Sequence, residues 1–123
     1  MEDYIAFNKA LKHFVRCSIE AFPDFKELKV LLITYKMLKT INKKQPCKLF
    51  LAMTSNCQDA ILAKDEQYFI ENGLYCPENS IQSLSAAFKE KWFALDSTNK
   101  DVIWQHLQVL VLLSRKCQKI DNA

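Results

Sequence analysis

The sequence predicts an all-α fold, a compact bundle of five to six helices, and three observations carry that expectation. Apolar residues recur three and four positions apart through every long segment, which is the spacing that lines one side of an α-helix. No stretch alternates apolar and polar residues between hairpin turns, and the pair with turn chemistry, Asn72-Gly73, sits where a helix would stop. The 123 residues include one glycine and three prolines, which leaves little material for a dividing linker, so residues 1–123 read as a single all-helical domain.

The first helix spans Asp3 to Phe22, with Phe7, Leu11, Phe14, Ser18 and Phe22 on one side and Lys9, Lys12, Arg16 and Glu20 between them. Pro23 ends it, lacking an N–H and biasing Phe22 away from the helical region. Asp24, followed by Glu27 at the third helical position, is expected to cap a second helix running to about Asn42. Its stripe is Leu28, Leu31, Leu32, Tyr35, Leu38 and Ile41, and Val30, Ile33 and Met37 widen it past one side, which predicts a central helix touched by two or more neighbours. Pro46 at a first helical position opens a short third helix carrying Leu49, Phe50 and Met53.

Cys57 to Glu71 reads as one bent helix or two short ones, stopping at Asn72-Gly73 with glycine available for a left-handed residue. Leu74 to Glu78, containing Pro77, is the most loop-like segment. After it Asn79 or Ser80 is expected to cap a helix whose stripe is Ile81, Leu84, Phe88, Trp92 and Leu95. The last helix is expected to be capped by Ser97 or Thr98. It carries Ile103, Leu107, Leu110 and Val111, a second row of Val102, Val109 and Leu113, and a basic C-terminal end at Arg115, Lys116 and Lys119 that suits the helix dipole.

Several chemistries are excluded or weakened by composition. With one glycine there is no phosphate-binding glycine loop and no nucleophile elbow. Five cysteines, an odd number without a C-x-x-C pair, favour a reducing compartment and read as buried free thiols. The acidic N-terminus, Met1-Glu2-Asp3, lacks the pattern of a signal peptide, and the most apolar run, Val109 to Leu113, is too short for a bilayer. His13 and His106 are far apart in sequence, and neither has a carboxylate at helical ligand spacing, so no metal or other cofactor is expected. Convergence of Cys47, Cys57 and Cys76 on a metal stays open. A catalytic reading has little support: His13 and His106 read as a polar neighbour of Phe14 and a boundary residue, and Asp59, Asp65, Glu66 and Glu71 read as solvated faces and caps.

The net charge is +3, but Lys26 to Lys48 holds seven lysines and one acid, a local +6. Lys29, Lys36, Lys39 and Lys43 recur at helical steps and Lys44 continues them, a geometry able to follow a phosphate backbone. Lysine outnumbers arginine 15 to 2, which argues against bidentate phosphate recognition and favours a solvated face. The helices over Leu28 to Ile41 and Val102 to Leu113 are apolar on more than one side, and in a domain this small the surplus is expected to meet another chain. Trp104 fits either a second core row or an exposed anchor, and with Leu107 and Val111 it forms the expected protein-binding group.

Three segments carry a resemblance: Phe25 to Phe50, Ile61 to Gly73 and Lys91 to Lys116, the last through pairs such as Asn99-Lys100, Ile103-Trp104 and Leu107-Gln108. Their word order resembles a group of short uncharacterised proteins of nucleocytoplasmic large DNA viruses, the giant and algal viruses. That family has no established activity, so the resemblance transfers no functional residue. What it implies is a viral protein in the host cytoplasm or the virion. The sequence therefore leads to the expectation of a non-enzymatic protein-interaction module acting in assembly or infection, with a protein partner or a second copy of itself and no membrane. Nucleic-acid binding through Lys29, Lys36, Lys39, Lys43 and Lys44 is the alternative.

Overall fold

The computed structural model describes residues 2–72 and 84–121, and every regular element among them is a helix. In chain order these are α1 (Glu2–Ala21), α2 (Lys26–Ile41), α3 (Gln45–Thr54), α4 (Gln58–Leu62), α5 (Glu66–Asn72), α6 (Leu84–Phe93) and α7 (Ser97–Asp121). The all-α expectation holds. Among the described residues seven helices, rather than five to six, make the bundle, because the segment after Cys57 is broken in two.

The break is a helix stop built without glycine. Lys64 takes a left-handed backbone, φ 55°. The Lys64 N–H donates to the Ile61 carbonyl at 3.1 Å and the Asp65 N–H to the Ala60 carbonyl at 2.8 Å, the paired bonds that close a Schellman end. Asp65 then begins α5, its carboxylate accepting from the Tyr68 N–H at 3.2 Å. A stop-and-cap in consecutive residues gives two helices where periodicity alone left one bent helix open.

Two other caps differ from expectation. Asp24 lies in the turn before α2 and Phe25 occupies the capping position, with no side-chain bond to the helix. Phe25 is buried and packs with Leu28, so the turn is closed by the Phe25 N–H on the Phe22 carbonyl at 2.9 Å and hydrophobic burial decides the entry. At α7 the cap is Asp96, not Ser97 or Thr98, since its carboxylate accepts from the Asn99 N–H at 2.8 Å. Pro46 falls within the first two positions of α3, where its missing N–H leaves no bond unmade. Gly73, the Leu74 to Glu78 loop, the caps at Asn79 or Ser80, and Ile81 lie outside the described residues.

Helices α1 and α7 form the spine. The first part of α1 (Tyr4, Phe7) shares a buried cluster with the last part of α7 (Leu110, Val111, Cys117), and Phe14 meets His106 and Leu107, so the two helices run antiparallel. At their middle, α3 and α4 close the cluster with Cys47, Phe50 and Ile61. Polar ties fix α4 on α7: Gln108 donates to the Leu62 carbonyl at 3.0 Å, and Arg115 reaches the Gln58 side chain at 2.9 Å and Asp59 at 3.2 Å. A second cluster around Phe25 and Leu28 joins α2 to α3 and α6, and an aromatic group of Phe69, Phe88, Trp92 and Trp104 joins α5, α6 and α7. Within that group the Trp92 and Trp104 rings meet edge to face at 5.3 Å between centroids.

Helix α2 packs against α1, α3 and α6, so it has the neighbours the sequence predicts. It is not central. Leu28, Thr34, Tyr35 and Leu38 are buried, whereas the residues that widen the stripe face outward. Asn8 pins the α2–α3 corner by donating to the Lys43 carbonyl at 2.9 Å, while the Tyr35 hydroxyl donates to the Asn8 carbonyl at 3.3 Å.

Candidate functional site

The largest apolar residues at the surface of α2 are Val30, Ile33, Met37 and Ile41, with exposures of 37%, 66%, 52% and 70%. Their spacing of three, four and four places them within about 80° of arc at 100° per residue, one continuous row rather than scattered exposures. Thr40 comes next around the helix and then Lys29 and Lys36, and all three are exposed. An aliphatic ridge bordered by cations on one side is therefore the surface α2 presents. Scattered apolar residues on a protein surface need no explanation, but a row of four on one helix does.

The cationic border is wider than α2. Lys12 and Arg16 on α1 lie close enough to Lys36 and Lys39 that the Lys12 ammonium is held below its ordinary pKa. Arg16 is the largest cause, then desolvation, then Lys39 and Lys36. None of these four has an acidic partner among the described residues. Of the other lysines in the sequence-derived set, Lys39 sits 5.9 Å from the centroid of the Tyr35 ring, Lys44 lies over the Tyr4 ring at 5.3 Å, and Lys43 is exposed at the end of α2. Lys29, Lys36, Lys39 and Lys43 therefore reach solvent as the sequence arrangement requires, while Lys44 is half-buried.

The expected protein-binding group is placed elsewhere. Trp104 is 6% exposed and Val111 is fully buried, so neither is available to a partner, and Leu107 is half-buried between the two clusters they belong to. The reason is the antiparallel seat of α7 against α1. The face carrying Ile103, Leu107, Leu110 and Val111 is turned inward, and the residue one step from Ile103 joins Trp92 and Phe69 rather than solvent. The surplus of apolar surface on α7 is instead on Val102, Val109, Leu112 and Ile120.

Sequence distance concealed one pairing. His13 and His106 stand with ring centroids 5.6 Å apart across α1 and α7, and Phe14 stacks near His106 at 5.2 Å. Cys17, one turn on from His13, has its sulfur 3.6 Å from Nε2 and 3.8 Å from Nδ1, a nearly equal separation that sets it against the ring rather than in line with one nitrogen. Among the described residues no hydrogen bond to a carboxylate or carboxamide orients His13, so the pair lacks the third group that activates a cysteine nucleophile. Burial and the neighbouring His13 hold His106 below its ordinary pKa.

The other cysteines do not form a site among the described residues. Cys47, Cys57 and Cys117 are buried, and burial pushes the Cys57 thiol up in pKa, which keeps it neutral. Cys76 lies outside the described residues, so the three-cysteine arrangement is not complete there, and no group of three or more His, Cys, Asp or Glu among those described is placed to hold a metal ion. No described helix is long and apolar enough to cross a membrane. Comparison with known proteins gives no match to a family, a curated protein or a solved structure.

Proposed function

We propose that this chain is a non-enzymatic protein-interaction module whose contact surface is the outer row of α2, and that its partner is an amphipathic helix with acidic flanks. The observation that carries the reading is the row itself: Val30, Ile33, Met37 and Ile41 exposed at helical spacing. A partner helix laid along it buries aliphatic surface and sets carboxylates beside Lys29 and Lys36. A second copy of this chain laid antiparallel would set lysine flank against lysine flank, which weighs against self-pairing through α2. The setting we infer, large DNA virus infection and particle assembly, is supported by the three-segment resemblance alone.

The test is fluorescence anisotropy of a labelled amphipathic helical peptide with leucine and glutamate faces. Binding is expected to weaken with salt and to be lost in the Ile33→Asp, Met37→Asp double variant. Equal binding by a peptide with lysine flanks, or by the double variant, would remove the reading.

A second reading, non-specific nucleic-acid binding through Lys29, Lys36, Lys39, Lys43 and Lys44, is favoured by Lys12 and Arg16, which extend the positive surface onto α1. Low-salt titration with duplex DNA separates the two, because DNA binding is expected to vanish when these lysines become glutamine and to survive the aspartate changes at Ile33 and Met37.

A further inference from the structure

Between the helices lies a partly enclosed cavity of about 150 Å³, at the place where the three buried clusters of the bundle meet. Phe50 belongs to the first cluster, Phe25 and Leu28 to the second, and Trp92 and Trp104 to the third, and all five stand on its wall. The clusters therefore share one gap. Close-packed interiors hold few voids larger than a water molecule, and every group that lines such a void lacks attractive contacts on that side.

The wall decides what can fill it. It is almost wholly carbon. Polar atoms of the lining residues are used elsewhere: Tyr35 donates to the Asn8 carbonyl, Thr54 donates to the Phe50 carbonyl at 2.8 Å, and Glu66 accepts from the Trp92 indole and from Lys100. An apolar cavity of about this size stays dry and takes one benzene ring. The Trp92 ring lies 5.9 Å from Phe88 and 5.3 Å from Trp104 between centroids, an aromatic corner to which a further ring can add edge to face. A carboxylate drawn in among these rings gives up its water without gaining a hydrogen bond.

We infer that the cavity is a binding site for one neutral, hydrocarbon-like molecule of about one aromatic ring, seated against Phe88, Trp92 and Trp104. The occupant fills the gap common to the three clusters, so binding it stabilises the folded bundle. This site is separate from the outer row of α2 and does not depend on what that row binds.

The experiment titrates the full chain with toluene, and in parallel with benzoate as a charged ring of similar size, following tryptophan emission, melting temperature and methyl NMR shifts. The chain has two tryptophans and both stand on the cavity wall, so emission reports occupancy directly. Toluene is expected to give a saturable emission change, a higher melting temperature, and shifts of the Leu28, Leu49 and Ile103 methyls that line the cavity. Benzoate is expected to bind about tenfold more weakly or not at all. Leu49→Phe, which fills the cavity, is expected to lose toluene, whereas the Ile33→Asp, Met37→Asp variant binds it unchanged. If Leu49→Phe fails to fold, the methyl shifts of the parent chain still locate the ligand. No saturable change with toluene, equally tight binding of benzoate, full toluene affinity in a folded Leu49→Phe, or shifts centred on the outer row of α2 would each overturn the inference.

Discussion

Lys64 is the residue that divides the middle of the chain, and it does so in a conformation that disfavours any side chain with a Cβ. Glycine at that position would keep both Schellman bonds and remove the steric penalty, against a smaller loss of chain entropy in the unfolded state. Lys64→Gly is therefore expected to raise the unfolding free energy by about 0.5–1 kcal/mol in a urea melt, with Lys64→Ala giving no gain. Loss of the exposed Lys64 contact with Asp101, 3.8 Å long, changes this little. His106 supplies a residue-scale pH dependence. Its folded pKa lies below the ordinary 6.5, through burial first and the charge of His13 second, so the unfolded chain takes up the proton before the folded one does. Stability is then expected to fall as pH drops from 6.5 toward the lowered folded value and to level off beneath it. His106→Gln should flatten that part of a stability–pH curve, and a curve with the same slope in the variant would assign the effect elsewhere.

At the scale of elements, helix existence was legible and helix endings were not. The three-and-four spacing of Phe7, Leu11 and Phe14, or of Leu107, Leu110 and Val111, identifies α1 and α7, because a buried face must repeat with the helix. Endings depend on which of several polar residues finds a backbone N–H. Asp24 has the chemistry of a cap and stands beside a phenylalanine that must be buried, so burial wins. Ser97 and Asp96 are equally suitable in sequence, and the turn geometry chooses Asp96. Orientation was the harder problem. The sequence locates an apolar surplus on the second and last helices, and it is there in Val30, Ile33, Met37, Ile41, Val102, Val109 and Leu112. Assigning that surplus to Trp104 failed because a residue one step off a stripe is core or surface according to the neighbour opposite it, and the neighbour here is Trp92. One usable signal was the close interleaving of lysines with the α2 aliphatics. Lys29 and Lys36 stay in water, and Ile33 and Met37 on the same side of the helix stay exposed with them.

For the whole molecule, the account divides the large apolar residues into those that hold the bundle and those that remain outside it. Trp104 joins α5, α6 and α7, so Trp104→Ala is expected to lose about 3–5 kcal/mol of stability. The Ile33→Asp, Met37→Asp variant should melt within about 0.5 kcal/mol per site of the parent, as surface changes do. Paired thermal melts check both, and a collapse of the double aspartate variant would mean the row is covered in the isolated chain. The His13–His106 pair and the Lys12–Arg16–Lys36–Lys39 group belong to this scale too, since residues from distant parts of the chain meet only once α1 is seated on α2 and α7. The most direct test of the interaction surface is a methyl NMR titration of the full chain with the acidic amphipathic peptide. Shifts confined to the Val30, Ile33, Met37 and Ile41 methyls, with Ile61 and Val111 unmoved, are the predicted result. Shifts centred on the buried methyls, or none on α2 at saturating peptide, would contradict it.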